Sequence, residues 1–578
     1  MAAHAPAPRS DLHDSELTLP DAQRLPPIII ATAVAFGLVC GAFQITNTSI
    51  GWHITSGRWM AAHHEILDHD PFSFTSGGVE WIDHEWLFQL LVAALFDVGG
   101  APLLVLLRML AVVAMTLLLL RIGVSSGLDP PVALGLAALC VWAARPRFFV
   151  RPELATLVLL PLAVWLFAER RGRRWWPLPV AVITALGVNL HGAMLIAPVL
   201  MGVWYAGEIV GQIARRAPDR AALVSGATGL LAAGAATLAN PFGLRIWSVP
   251  FRLAEMVRAP HIPNPEWLAP GPADAPTLYV ALVLAALVLA AGSRAPKHWL
   301  LTAAAAALAL RHIRNLGVFF VLLPIALAPA LARLPLIGRP PVAGRSEQRV
   351  RLLVGAGLVA VLTVVCLVRP WPAAGFGFAD RWYPDRAWRF MTDHDLLDGR
   401  LYNDVRFGGW LLLAGYPEHR VFLDDRNEVN EPLLAEIWRI FSQSDVAAWQ
   451  AMLDGYAIDT VLLRYHEPLE VTTPDGADLG PRGFSQLWFP DERWAMVYWD
   501  DVAMILVRRS SVPGSFLAGR EYRVLHPDDA AHVMARLAER PDLMPVATSE
   551  LERALADDPE CRRALHLGQV LGSMTRGP

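Results

Sequence analysis

Seven titratable side chains are concentrated in one short segment, DHDPFSFTSGGVEWIDHEW, which covers residues 68–86. Five are acids, and the other two are His69 and His84. A carboxylate can accept a proton, and an imidazole can exchange one near neutral pH. The segment lies between apolar runs, where unpaired charges are costly. It is therefore a candidate for proton transfer or metal binding, although salt bridges or a solvated loop would also explain single acids.

A second polar group stands at the ends of apolar runs. Arg311, His312 and Arg314 interrupt the run LLTAAAAALALRHIRNLGVFF. Arginine binds planar anions such as phosphate or carboxylate through paired hydrogen bonds, whereas snorkelling to the membrane interface is the alternative. With the acids, these residues suit a reaction in which a lipid phosphate leaves. A hydroxyl or amine would attack, and a carboxylate would take its proton.

Further polar residues follow other apolar runs. Arg145, Arg147 and Arg151 flank one junction, and His191 follows another in the sequence NLHG. A lone histidine there is more often structural. The acidic stretch DDRNE at 424–428 is either a contact loop for an acceptor or a solvated turn.

The composition is that of a polytopic membrane protein. Of the 578 residues, 54% are hydrophobic and 18% are charged, against about 25% charged in soluble domains. Runs of near membrane-spanning length recur. We expect about eleven spans, at 27–46, 101–121, 130–145, 152–168, 176–190, 193–213, 221–239, 277–292, 299–311, 315–335 and 350–369. Residues 86–98 are apolar but short, which favours a re-entrant or interfacial helix.

The basic residues of the short loops predict the orientation. Arg121 and the clusters at 169–175, 214–220, 293–297 and 339–351 fall on one side, which should be cytoplasmic. The N-terminus (1–26) is then a flexible cytoplasmic segment. The unusual polar segments fall on the outer face, where they form either a site or ordinary interfacial loops. They are 47–85, 144–153, 189–192, 240–243, 263–267 and 311–315.

The chain divides into a membrane domain at 27–370, with a first outer loop at 47–85, and two later regions. Residues 371–509 alternate β-like and helical runs, which predicts a soluble α/β domain outside the membrane. Residues 510–578 are helical, either a plain tail or a repeat of tetratricopeptide type. The four cysteines form no CxxC pair, and signatures of soluble enzymes such as GxxxxGK[ST], HExxH and GxSxG are absent.

The first outer loop resembles that of the GT-C superfamily of polytopic glycosyltransferases, in the bacterial branches near protein mannosyltransferases and aminoarabinose transferases. The matching strings are GWHITSGRWM, ILDHDPFSFT and WIDHEWL, with NLHG, NPFG and YNDVRFGGWLL…RVFLDDRNEV further on. The resemblance implies sugar transfer from a polyprenyl-phosphate carrier to a lipid, glycan or protein at the outer face of the bacterial inner membrane. No nucleic acid is implied.

The resemblance also implies roles for individual residues. The family carries a catalytic acid soon after the first span, where this chain has Asn47, Thr48 and Ser49. Asp70 is then the expected general base, with Asp68 and Glu85 as alternatives.

The remaining expected roles concern the donor and the acceptor. The donor phosphate is expected at Arg311, His312, Arg314 and Arg58. His53 and His84 would orient the acceptor or a divalent metal ion, which is an optional cofactor.

Two other functions are compatible with the same sequence. A non-catalytic protein with this scaffold, acting in envelope assembly or binding, would explain the missing acid. A transporter would place polar residues near the middle of the membrane, whereas these cluster at one face.

Overall fold

The computed structural model describes residues 25–169, 175–256, 258–259, 265–334, 337, 345–368, 373–472 and 478–576. Most of the expected N-terminal segment 1–26 therefore lies outside the described residues. The N-terminal two thirds consist of helices. They are α1 (Pro27–Gly41), α2 (Ile50–His63), α3 (Trp86–Ser125), α4 (Pro130–Ala144), α5 (Glu153–Glu169), α6 (Pro177–Leu190), α7 (Ile196–Arg215), α8 (Arg220–Ala236), α9 (Val249–Met256), α10 (Pro276–Gly292), α11 (Pro296–Arg311), α12 (Leu316–Leu331) and α13 (Arg345–Val368).

All of these helices except α2 and α9 coincide with expected spans. Three helical stretches, Trp86–Ser125, Gly192–Arg215 and Ile313–Leu331, are long and apolar enough to cross a membrane. The last two include the short 3-10 turns that precede α7 and α12. A membrane protein is thus supported, while the count of eleven spans stays a prediction.

Local sequence explains where these helices begin and bend. Proline occupies the first turn of α1, α4, α6, α10 and α11, where its missing N–H costs no helical hydrogen bond. Within α3, Gly99 and Gly100 leave the helical conformation, and Gly100 has φ 64°. Only glycine adopts that conformation readily, so the helix bends between its first part, 86–98, and the long second part.

The C-terminal region is built on a small mixed sheet. Its elements are α14 (Asp385–Asp393), β1 (Arg400–Asn403), α15 (Val405–Gly415), α16 (Asn427–Ser442), α17 (Val446–Gly455), β2 (Ile458–Arg464), β3 (Leu469–Thr472), β4 (Asp478–Arg482), α18 (Phe484–Trp488), β5 (Trp494–Trp499) and β6 (Ala503–Arg508). The four-stranded order is β1-β2-β6-β5, with β1 parallel to β2 and the other pairs antiparallel. The strands β3 and β4 form a separate antiparallel pair.

The last four helices pack on this sheet domain. They are α19 (Gly514–Arg520), α20 (Ala530–Glu539), α21 (Met544–Asp557) and α22 (Arg562–Arg576). Leu537, Leu551 and Leu567 share one buried core with Trp449 and Trp499. The tail is therefore packed against the α/β domain, and its likeness to tetratricopeptide repeats stays a prediction.

The first outer loop docks directly on the C-terminal domain. Ile45 pairs with Phe378, and Ser73 pairs with Val421, as isolated β-bridges. A Cβ on Gly51 would lie 1.9 Å from the carbonyl oxygen of Gly409, so α2 and α15 touch backbone to backbone. This close contact brings DDRNE to the start of the outer loop.

Candidate active site

A single carboxylate, that of Glu85, lies among three imidazoles at the start of α3. The Glu85 oxygens are 3.8 Å from His53 Nδ1, 3.6 Å from His84 Nε2 and 3.8 Å from His191 Nε2. None of these distances is short enough for a good hydrogen bond. We call these four residues the Glu85 cluster. Its carboxylate is 16% exposed, so a ligand has access to it.

Local structure fixes how the cluster residues point. The carboxylate of Asp83 accepts a hydrogen bond from Gln89 Nε2 at 2.7 Å and holds the beginning of α3. The backbone of His191 is extended, with φ −161° and ψ 123°, so helix α6 ends there and is separated from the following 3-10 turn. A Cβ on Gly192 would lie 2.6 Å from His84 Cδ2, so only a glycine lets His84 approach this turn.

In two of the imidazoles, the Nδ1 atom already has a hydrogen-bond partner. Nδ1 of His191 lies 2.8 Å from the Thr156 hydroxyl, and Nδ1 of His84 lies 3.2 Å from the Ile82 carbonyl. Because the carbonyl can only accept, Nδ1 of His84 donates to it, and its Nε2 faces Glu85. Supporting bonds of this kind orient histidines that bind metals.

Burial shifts the pKa values within the cluster. It lowers the pKa of His53 and that of His191 well below the usual value, and nearby Arg151 and Arg314 add to these shifts, respectively. Burial also raises the pKa of Glu85. The imidazoles of His53 and His191 are consequently neutral near pH 7, so their ring nitrogens keep lone pairs that can bind a cation.

Two arginines stand beside the cluster. The guanidinium of Arg314 lies 4.2 Å from the centre of the Trp267 ring, and it pairs with no carboxylate among the described residues. Arg151 donates to Ser49 Oγ at 3.1 Å and to Glu266 at 2.9 Å. Arg314 is thus the guanidinium that has hydrogen-bonding capacity left for an added anion.

Asp70 lies in a different, fully paired group. Its carboxylate is 0% exposed and 2.8 Å from Arg426 Nη1. It also accepts hydrogen bonds from the backbone N–H groups of Phe72 and Ser73 at 3.0 and 3.1 Å, and from the Ser73 hydroxyl. Arg426 in turn binds Asp424 at 2.6 and 2.9 Å. We call Asp70, Arg426 and Asp424 the Arg426 triad.

The triad also bears on the interpretation of DDRNE as a solvated turn, while a contact with an acceptor stays a prediction. Asp424 and Arg426 are buried against the outer loop, so the solvated turn is wrong for them. The sequence analysis did not assign a role to two residues of this region. Asp425 was not identified as a site residue, and Glu266 was not identified as a partner of arginine. Burial would raise the pKa of Glu266, but Arg151 and Arg147 lower it to about 2.

The other residues expected at the site make their contacts away from the Glu85 carboxylate. Asp68 is exposed and 2.6 Å from His69. Arg58 pairs with Asp97 at 2.6 Å on the surface. Arg311 is exposed, and His312 bonds the Trp267 carbonyl at 2.6 Å.

An open groove of about 430 Å³ begins at Trp86, the residue after Glu85. Its lining is mostly apolar, with two amides among the wall residues Leu87, Ala185, Leu186, Asn189, Ala239, Asn240 and Pro241. Trp86 donates its indole N–H to Asn189 at 2.9 Å. The groove therefore connects the loops 189–192 and 240–243 with the start of α3.

Another group, Asp501, Asp558 and Cys561, has the composition of a metal site. However, Arg381 pairs with Asp501 at 3.0 Å and with Asp558 at 2.7 Å. Asp501 also accepts from the backbone N–H groups of Arg562 and Arg563. These donors already satisfy the carboxylates, so the group explains how the tail docks rather than how a metal binds.

The fold matches that of solved glycosyltransferases. The oligosaccharyltransferase of Archaeoglobus fulgidus in its apo form has a TM-score of 0.53 and 12% identity, covering 82% of this chain and 79% of that one. The same enzyme tethered to an acceptor peptide with an NVT sequon gives 0.51 and 10%, over 82% and 79%. Its complex with zinc and sulfate gives 0.50 and 11%, over 81% and 78%.

A mycobacterial arabinofuranosyltransferase, AftD, is more distant, at a TM-score of 0.42 and 17% identity over 83% of this chain and 39% of that one. No protein-family model and no curated protein matches the chain. At these identities the likeness concerns the fold. The fold is therefore shared with the oligosaccharyltransferase, which agrees with the fold that the resemblance implied.

Proposed function

We propose that this protein transfers a sugar from a polyprenyl-phosphate carrier to a lipid, glycan or protein acceptor at the outer face of a bacterial cytoplasmic membrane. The observation that carries the proposal is the Glu85 cluster, an incompletely paired carboxylate among imidazoles beside Arg314. This site lies in a fold shared with an oligosaccharyltransferase. The N-terminus is then cytoplasmic and the C-terminal domain lies outside.

The donor's charged end would bind between the cluster and the arginines. Arg314 offers its guanidinium to the phosphate, and Arg151 adds positive charge from the turn after α4. The mostly apolar groove that begins at Trp86 would receive part of the carrier chain. Of the predicted phosphate-binding residues, the contacts favour Arg314 over the exposed Arg311 and the paired Arg58.

The three predicted catalytic acids differ in how many hydrogen bonds and ion pairs their carboxylates already form. Asp70 has both oxygens bonded in the Arg426 triad, and Asp68 is exposed beside His69. Glu85 alone of the three faces an open site with no donor at hydrogen-bond distance. We therefore assign Glu85 to the reacting end of the donor, and Asp70 to positioning the loop.

A divalent cation fits this assignment. A carboxylate and a phosphate repel each other unless a cation lies between them, and a carboxylate with neutral imidazoles is a ligand set for zinc. When bound, such a cation would neutralise charge on the phosphate. Glu85 and the imidazole nearest to its carboxylate, that of His84, would hold it. Stoichiometric zinc binding by calorimetry, weakened in both Glu85→Gln and His84→Ala, would support this cation site.

The test of the function is turnover of short-chain polyprenyl-phosphate sugars by the purified protein. Wild type should release polyprenyl phosphate and pass sugar to an acceptor or to water. Glu85→Gln should lose at least about 100-fold in rate with an unchanged unfolding temperature. Donor binding without turnover in wild type would instead support the non-catalytic alternative in envelope assembly or binding.

A further inference from the structure

The segment that follows the first span lacks an acid, but an acid from the C-terminal domain reaches it. Thr48 Oγ1 lies 3.4 Å from Asp425 Oδ2, across 377 positions of sequence. The neighbouring Ser49 contacts Arg151 at 3.1 Å. A carboxylate and a guanidinium are thus held side by side at the start of the outer loop.

From this geometry we infer that Asp425 is the general base of the transfer reaction, supplied to the outer loop by the C-terminal domain. The inference rests on the proposed function and gives it a base. It also assigns the C-terminal domain a direct part in the chemistry.

Two contacts position Asp425 and leave its carboxylate able to accept a proton. Asp424 is fixed by Arg426, which anchors the segment that carries Asp425. Gly409 packs against the backbone of Thr48, where a Cβ would lie 2.4 Å from the Thr48 oxygen. The other oxygen of Asp425, Oδ1, is buried and has no well-formed hydrogen bond among the described residues, while the nearby Trp52 side chain favours the ionised carboxylate. A buried acceptor of this kind is stabilised when a donor reaches it.

The electrostatic environment suits a base. Burial and the neighbouring carboxylate of Asp424 raise the pKa of Asp425 to about 6, against the opposing effect of Arg151. A carboxylate with that pKa is largely ionised at pH 7 yet more basic than an ordinary aspartate. General bases work best when their pKa lies near the working pH.

The reaction balances without a further reagent. The acceptor hydroxyl gives its proton to Asp425 while its oxygen forms a bond to the anomeric carbon of the sugar. The bond from that carbon to the carrier phosphate breaks, and its electron pair stays on the phosphate oxygen. The products are the glycosylated acceptor, polyprenyl phosphate and a protonated Asp425, which then releases its proton to water.

The decisive experiment moves the acid from one domain to the other. Asp425→Asn should lower the transfer rate by about 10²–10⁴-fold and leave donor binding unchanged. The double variant Thr48→Asp with Asp425→Asn should recover at least about tenfold, because it returns a carboxylate to the same place. Glu436→Gln, on the exposed side of α16, is the matched control and should transfer at the wild-type rate.

A pH profile of wild type tests the same assignment without any substitution. The base must be deprotonated, so the rate should fall as the pH falls through about 6. A flat profile between pH 5 and 7 would overturn the assignment. So would an Asp425→Asn variant that transfers normally while Glu85→Gln is inactive, an outcome that leaves the proposed function intact. Absence of transfer by wild type would overturn both.

Discussion

The Arg426 triad and the Glu85 cluster are neighbouring groups of charge at the same domain junction, yet they are paired differently. In the triad, Asp70, Asp424 and Arg426 are buried, and each carboxylate has donors at hydrogen-bond or ion-pair distance. In the cluster, the Glu85 carboxylate has only imidazole nitrogens at 3.6–3.8 Å. The difference indicates that the triad joins the two domains, while the cluster keeps capacity for a ligand.

The largest effect on stability should come from breaking the triad. Arg426→Met keeps the side-chain volume but leaves Asp70 and Asp424 buried without a counter-charge. Removal of one partner from a buried ion pair costs about 3–5 kcal/mol, so the unfolding temperature of the C-terminal domain should fall clearly. Arg389→Met is the control, since Arg389 is exposed and its ion pair within the described residues is with Asp385 on the same helix. Equal unfolding temperatures for both variants would mean that the triad does not join the domains.

The largest effect on donor binding should come from replacing Arg314, which forms no ion pair with a carboxylate among the described residues. Arg314→Gln removes a guanidinium that no carboxylate of the described chain engages. A charged hydrogen bond is worth about 1.5–3 kcal/mol, so the KM for the polyprenyl-phosphate sugar should rise about 10- to 100-fold. Arg245→Gln, which removes an exposed arginine paired with Glu80, should leave the KM unchanged. A similar KM for both variants would place the phosphate elsewhere.

A smaller effect on the transfer rate should follow when His84 is displaced but no polar group of the Glu85 cluster is removed. In Gly192→Ala, the new methyl meets His84 Cδ2 at 2.6 Å, so the ring must shift. Misplacement of a positioning group slows catalysis, and we expect a transfer rate about tenfold lower with little loss of stability. Gly377→Ala is the control, because nothing lies within 4 Å of a Cβ at that position. An unchanged rate in Gly192→Ala would show that His84 has no positional role.

The sequence could predict the helices and the polar segments between them, because both depend on local patterns. Apolar runs with proline at their starts coincide with the helices. The polar segments that carry Glu85, His191, Arg151 and Arg314 were all recognised as belonging to one face, and the structure brings their side chains together.

The pairing of these charges could not be predicted, because it depends on contacts across the whole chain. Arg426 reaches Asp70, and Asp425 reaches Thr48, only after the C-terminal domain docks on the outer loop. The sequence therefore favoured Asp70 as the base, although its oxygens already accept local backbone hydrogen bonds. The sequence Asp-Asp-Arg, directly after the β-like run VFL, was the local pattern that indicated a contact at residues 424–426.

The central claim is that the triad positions the loop while the Glu85 cluster acts on the reacting end of the donor. The most direct test compares Asp70→Asn with Glu85→Gln in one assay, by measuring the transfer rate per folded molecule and the unfolding temperature. Asp70→Asn should lose about 1–3 kcal/mol of stability and transfer sugar at nearly the wild-type rate. Glu85→Gln should keep its stability and lose transfer. The reverse pattern, an inactive but stable Asp70→Asn beside an active Glu85→Gln, would contradict the account.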